Sequence, residues 1–114
     1  MIIHDSVYDQ FAEKIKKVYA SIRIGNPLEA GTLMGPLHTK SAVKEYLEGL
    51  ETIKSQGGTI LHGGQLHSGV AGGDNGNYVL PTLVEIGKDA EILKTELFVP
   101  ICYLTRFKTF EEAI

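Results

Sequence analysis

The sequence predicts an α/β fold, with helices and strands alternating around one incomplete sheet. Three observations predict it. A helical stripe over Val43, Tyr46 or Leu47, Leu50 and Ile53 or Lys54 is followed within a few residues by the β-prone run Thr59-Ile60-Leu61-His62, the αβ step of such folds. A second apolar stripe at helical spacing lies earlier in the chain. Two more β-prone stretches, from Tyr78 to Ile86 and from Pro100 to Phe107, lie later.

Taken in order, Ile2 and Ile3 form a short β-prone lead-in. Asp5 or Ser6 is positioned to cap the first helix, and Asp9 suits its positive N-terminal end. Val7, Phe11, Ile15, Val18 and Ile22 draw its apolar stripe, and Gly25-Asn26-Pro27 is expected to stop it. Leu28 to Leu37 reads as a loop. Thr39 then caps the second helix, and Gly57-Gly58 ends it. Six glycines among the 15 residues from Gly63 to Asn77 predict a long surface connection with almost nothing to bury.

The run Thr82 to Ile86 follows Pro81, which suggests an edge strand. Asp89 to Thr95 predicts a short helix with Asp89 at or near its cap. Pro100 to Phe107 is apolar enough for a central strand. Thr109 to Ile114 looks like a capped helix that has only begun, and so predicts a truncated element.

At 114 residues the chain has room for one domain, residues 1–114, with one core of modest size. Hydrophobic residues make up 43% and charged residues 22%, ordinary globular usage. A formal net charge of −3 gives no electrostatic reason to expect a nucleic acid or an anionic membrane as partner. No apolar run reaches the ~20 residues that span a bilayer. With one cysteine and no secretory pattern at the start, a cytoplasmic setting is expected, or a mitochondrial one if a targeting segment lies upstream.

The chain contains no glycine motif of a phosphate loop. The glycines from Gly69 to Gly76 lead into Tyr78-Val79-Leu80 where a phosphate cradle would need a helix. His4, His38, His62 and His67 have no metal-ligand spacing and read as surface or loop histidines, and no metal is expected. Cys102, flanked by Ile101, Tyr103 and Leu104, reads as a small buried hydrophobe with a protonated thiol. Glu96-Leu97-Phe98-Val99-Pro100 is the most unusual run. A carboxylate two residues from an aromatic ring can serve one ligand, the first accepting hydroxyl hydrogen bonds and the second offering a flat apolar face. On position alone the same two residues read as a helix-end charge and a core phenylalanine, because the run precedes its strand.

That run resembles the E-x-F-x-P signature of the aldehyde dehydrogenase superfamily, through Glu96, Phe98 and Pro100. The resemblance extends along the chain. Asp5 to Ile24 looks like the helix after the family's catalytic cysteine segment. Gly25-Asn26-Pro27 and Gly35-Pro36-Leu37 look like its two turns. Gly57-Gly58, Gly63-Gly64, Gly76-Asn77-Tyr78 and Pro81-Thr82-Leu83 follow in the family's order. The run from Gly35 to Lys40 further resembles the antiquitin branch, the α-aminoadipic semialdehyde dehydrogenases.

The resemblance implies a partial catalytic domain of an enzyme that oxidises an aldehyde with NAD(P), through a cysteine thiohemiacetal, hydride transfer to nicotinamide and thioester hydrolysis. It implies NAD as cofactor, with Glu96 on the hydroxyls of the nicotinamide ribose and Phe98 near the nicotinamide ring, both positioning the cofactor. Val99 departs from the glycine common at that place.

By the same resemblance no catalytic residue is expected within the chain. The nucleophilic cysteine, the general base and the dinucleotide-binding domain are expected upstream of Met1, and the oligomerisation strand beyond Ile114. Cys102 does not align with the nucleophile. A segment that is inactive alone follows, with the aldehyde substrate met only in the complete enzyme. Self-association through exposed apolar surface is the expected partner chemistry. Two alternatives stand beside this reading: a non-catalytic interaction module that keeps the fold and docks to a partner chain, and an unrelated small α/β domain.

Overall fold

The computed structural model describes residues 1–70 and 76–114. Its elements are β1 (Ile2–His4), α1 (Asp5–Ala20), α2 (Lys40–Ser55), β2 (Thr59–His62), β3 (Thr82–Glu85), a 3-10 turn (Glu91–Lys94), β4 (Ile101–Phe107) and α3 (Phe110–Ala113). The strands form one sheet in the order β1-β4-β3-β2. β4 runs parallel to both β1 and β3, while β2 returns antiparallel to β3 with an irregularity between Ile60 and His62.

Strand side chains alternate between two faces, and each face has its own helix. Leu104 joins Ile3 with Tyr8 and Ala12 of α1, and Phe11, Ile15 and Leu61 pack around them. On the opposite face Val84 and Ile86 meet Ile53 of α2 and Ile92, while Tyr46 and Leu50 of α2 meet Val79. The result is a helix, a sheet and a helix in three layers.

α2 matches its sequence signals closely. Thr39 caps it, its Oγ1 accepting from the Ala42 N–H at 3.1 Å. Ala42, Val43, Tyr46, Gly49, Leu50 and Ile53 form the buried face. Gly57, with φ of 82°, takes the left-handed turn beyond it.

α1 departs from expectation. Its cap is His4, whose Nδ1 accepts from the Ser6 N–H at 3.2 Å, and neither Asp5 nor Ser6. The buried residues are Tyr8 and Ala12, whereas Val7 and Val18 are about half exposed. The helix lies with Tyr8 rather than Val7 inward because β4 offers Arg106 and Leu104 to a large amphipathic ring. It also ends at Ala20, before Gly25-Asn26-Pro27.

Further corrections concern the later elements. β3 is internal, between β4 and β2, so the edge placement suggested by Pro81 fails. Pro81 stands just before the strand, where its missing N–H interrupts no ladder, and Thr82 N–H begins the pairing by donating to Pro100 O at 2.9 Å. The expected short helix is a single 3-10 turn with Ala90 at its cap; Asp89 lies next to the cap, as expected, and no side chain caps the turn by a hydrogen bond. Thr109 precedes α3 without capping it through its side chain. The glycine-rich connection lies partly outside the described residues. Where described it holds more than expected: Leu66 bridges Val79, and Asn77 is buried. β4 is central, as its apolar run predicts.

Candidate functional site

The segment between the 3-10 turn and β4 carries the two residues singled out for a cofactor. Glu96 is exposed, and among the described residues its carboxylate has no hydrogen-bond or ion-pair partner. Phe98 is 74% exposed, so the alternative of a core phenylalanine is overturned. Between and after them, Leu97 and Val99 point into the α2 side of the core. Two positions apart, an exposed carboxylate without a partner among the described residues and an exposed aromatic ring are held from behind.

Such a pair suits a ligand that brings hydroxyl groups together with a flat apolar surface. A carboxylate accepts two hydroxyl hydrogen bonds, and a ring supplies apolar area. An exposed phenylalanine with no packing role forfeits burial worth about 2 kcal/mol, which a ligand would recover.

Cys102 lies on the other face of β4, toward α1. It lines a cleft of about 210 Å³ with Tyr19, Ile22, Pro81, Val99, Pro100 and Ile101. Glu96 is not among these residues. The thiol is half-buried, less covered than an apolar strand predicts, because the end of α1 only partly roofs it. The Tyr19 hydroxyl beside it is pushed up to about 12, first by burial and then by the neighbouring Cys102. None of the residues described as lining that cleft is basic.

Two polar networks escaped the sequence reading. In the first, the Tyr46 hydroxyl is 2.7 Å from Thr82 Oγ1 and donates to Leu80 O at 2.9 Å, while Gly64 N–H donates to Thr82 Oγ1 at 2.9 Å. It ties α2, the glycine-rich connection and the start of β3 together. Gly63, at φ of 77°, must be glycine there, since a Cβ would lie 2.5 Å from Pro81 O. A tyrosine at one of two alternative helical positions was the only signal available.

In the second network Arg106, near the end of β4, meets Asp9 at 2.7 Å, Asp5 at 3.2 Å and Glu85 at 3.5 Å. Its guanidinium carbon stands 3.7 Å over the Tyr8 ring. The Tyr8 hydroxyl makes no full hydrogen bond, and burial first, then the nearby Glu85, holds its pKa above the ordinary range. Arg106 stands in a β-prone run at an alternating position, a pattern that predicts only an outward charge. Among the described residues no three of His, Cys, Asp and Glu gather to hold a metal, and no helix is long and apolar enough to cross a membrane.

The family model for the aldehyde dehydrogenase family matches residues 1–114. The chain belongs to the aldehyde dehydrogenase family. Relatives of the antiquitin type cover it from end to end. An aldehyde dehydrogenase family 7 member A1 homologue of Dictyostelium discoideum is 53% identical over 99% of the chain, and the α-aminoadipic semialdehyde dehydrogenase of Bos taurus is 42% identical over 98%. Among solved structures, PnpE in complex with nicotinamide adenine dinucleotide superposes with a TM-score of 0.91 at 36% identity over 98% of the chain. The chain spans about a fifth of the length of these relatives: 21% of the first, 20% of the second and 23% of the third. It is thus an antiquitin-type aldehyde dehydrogenase segment, and its four-stranded sheet is a part of a catalytic-domain fold.

Proposed function

We propose that this segment supplies the nicotinamide-side grip of an NAD(P)-dependent aldehyde dehydrogenase, through Glu96 and Phe98, and that alone it does not oxidise aldehydes. One observation carries the reading: Glu96 has no partner among the described residues and Phe98, two positions on, is exposed, on a run keyed into the core. Glu96 would take the ribose hydroxyls and Phe98 would lie against the nicotinamide. Bound there, the nicotinamide ring supplies the hydride acceptor. The residues of this chain orient it and hold water off one side.

The complete enzyme's reaction on this reading is oxidation of an aldehyde to a carboxylic acid. α-Aminoadipic semialdehyde is the proposed substrate, supported by the identity to the bovine enzyme of that name. The single cysteine within these 114 residues lies against Tyr19 in a cleft that excludes Glu96, which supports inactivity of the segment alone. A purified sample given NAD and a small aldehyde is expected to form no NADH above background. Steady NADH formation, abolished by Cys102→Ser, would sink this reading.

A second reading has its own observation. β1 lies at the sheet edge, and Met1, Ile2, Phe110 and Ile114 near it are all more than half exposed. An open edge beside apolar surface favours pairing with another chain. Sedimentation equilibrium distinguishes the two: a monomer at every concentration removes the docking reading, and a concentration-dependent assembly supports it.

A further inference from the structure

We infer that Leu97 and Val99 are positioning residues that aim Glu96 and Phe98. The inference rests on the cofactor reading above, and it concerns how the grip is held rather than what it holds.

Residues from Glu96 to Pro100 belong to no helix and no strand, so no hydrogen-bond ladder fixes their direction. Side-chain anchors replace it. Leu97 packs against the cluster of Ile53, Val84, Ile86 and Ile92. It reaches α2 at Gly49, a buried helical glycine, where an added Cβ would come within 2.8 Å of Leu97 Cδ1. A glycine inside a helix is disfavoured by about 1 kcal/mol relative to alanine, and here it leaves a notch that a leucine methyl fills.

Val99 inserts into the neighbouring cluster of Tyr46, Leu50 and Val79. The main chain is then closed by Ile101 N–H donating to Val99 O at 2.8 Å and by Thr82 N–H donating to Pro100 O at 2.9 Å. With Leu97 and Val99 packed inward, residues 96 and 98 are left exposed. Val99 stands where the resembled signature commonly has glycine, so the second anchor is a feature of this chain.

The test is backbone and aromatic-ring NMR relaxation on the 114-residue chain. Glu96, Leu97 and Phe98 are expected to be ordered, with amide order parameters of about 0.85. Leu97→Ala and Val99→Gly are each expected to lower those at 96–98 toward about 0.6, and Leu97→Met to restore them. Ile15→Ala, a comparable truncation on the opposite face, is the control for general loosening. It is expected to lower Tm while leaving 96–98 unchanged. Gly49→Ala gives a variant that folds well, since alanine favours the helix, and by crowding Leu97 it is expected to shift the amide resonances of 96–98.

Unchanged order at 96–98 in both Leu97→Ala and Val99→Gly would overturn the inference, as would an equal loss in Ile15→Ala. Titration with nicotinamide mononucleotide separates the two proposals. Shifts at Glu96 and Phe98, weakened several-fold by Leu97→Ala, support both. Loss of order in the variants with no such shifts in the unaltered chain upholds the anchoring and overturns the cofactor reading.

Discussion

The two ends of β4 treat charge in opposite ways. At its C-terminal end Arg106 is shared among Asp5, Asp9 and Glu85 and stacked on Tyr8, so each charge there answers another. Just before its N-terminal end Glu96 has no partner among the described residues, and a large ring beside it stays in water. The same strand thus joins a network that binds α1 to the sheet with a surface whose carboxylate meets no partner among the described residues. Charge that holds a fold together is matched internally; on the proposed reading, charge held for a ligand is left single.

The strongest way to break this comparison is to break the strand that carries it. Leu104 is fully buried between the two ends, and Leu104→Ala is expected to lower stability by about 2–5 kcal/mol, read by urea denaturation. Alkali should come next. Burial raises the pKa of Tyr8, Tyr46 and Tyr103, and that of Tyr19 to about 12, above the ordinary 10 of an unfolded tyrosine. The folded chain therefore binds these protons more tightly than the unfolded one. The stability they lend is whole below pH 10 and is lost as pH climbs from 10 through the raised values. Unfolding and tyrosinate absorbance followed together should coincide there. Tyrosinate forming well before unfolding would contradict the burial of these hydroxyls.

Smaller effects sharpen the contrast. Tyr46→Phe should cost about 1 kcal/mol by denaturant titration, near the low end for a buried hydrogen bond, because Leu80 O keeps the Thr82 hydroxyl at 3.0 Å. Arg106→Met should lower Tm less than Leu104→Ala does. Its signature is in salt: the unaltered chain loses Tm as ionic strength rises, while the variant, with three carboxylates left to repel one another, gains. Glu96→Gln should change stability by less than about 0.5 kcal/mol, since the carboxylate has no hydrogen-bond or ion-pair partner among the described residues. A clear destabilisation there would mean that Glu96 serves the fold.

What the sequence disclosed follows the same division. α2, β2 and β4 were legible because local signals agree with their final packing. Thr39 caps, Gly57 terminates, and the apolar run from Ile101 to Leu104 lies between two strands, at least half-buried along its length. α1 was misphased because its inward face was chosen by a partner about a hundred residues away. Counting apolar spacing gives Val7 and Val18 the same weight as Tyr8, and only Arg106 across the sheet tells them apart. The edge placement of β3 failed for a related reason. Proline restricts its own N–H, and at Pro81 that restriction falls before the ladder begins.

The E-x-F-x-P run was legible as a motif, while its exposure was not. Spacing places a carboxylate near a ring but says nothing of which side each will face. That direction is set by Gly49, Val79 and Tyr46, which lie far from the motif in sequence.

The pairing of β1 with β4 joins Ile2 to Thr105 across nearly the whole chain. Closing so long a loop is entropically slow, and a strand of three residues returns few hydrogen bonds for it. During synthesis Ile2 and Ile3 wait for residues 105–107 to leave the ribosome before they can pair. The first turn of α1 and its imidazole cap are therefore completed only once β4 has arrived.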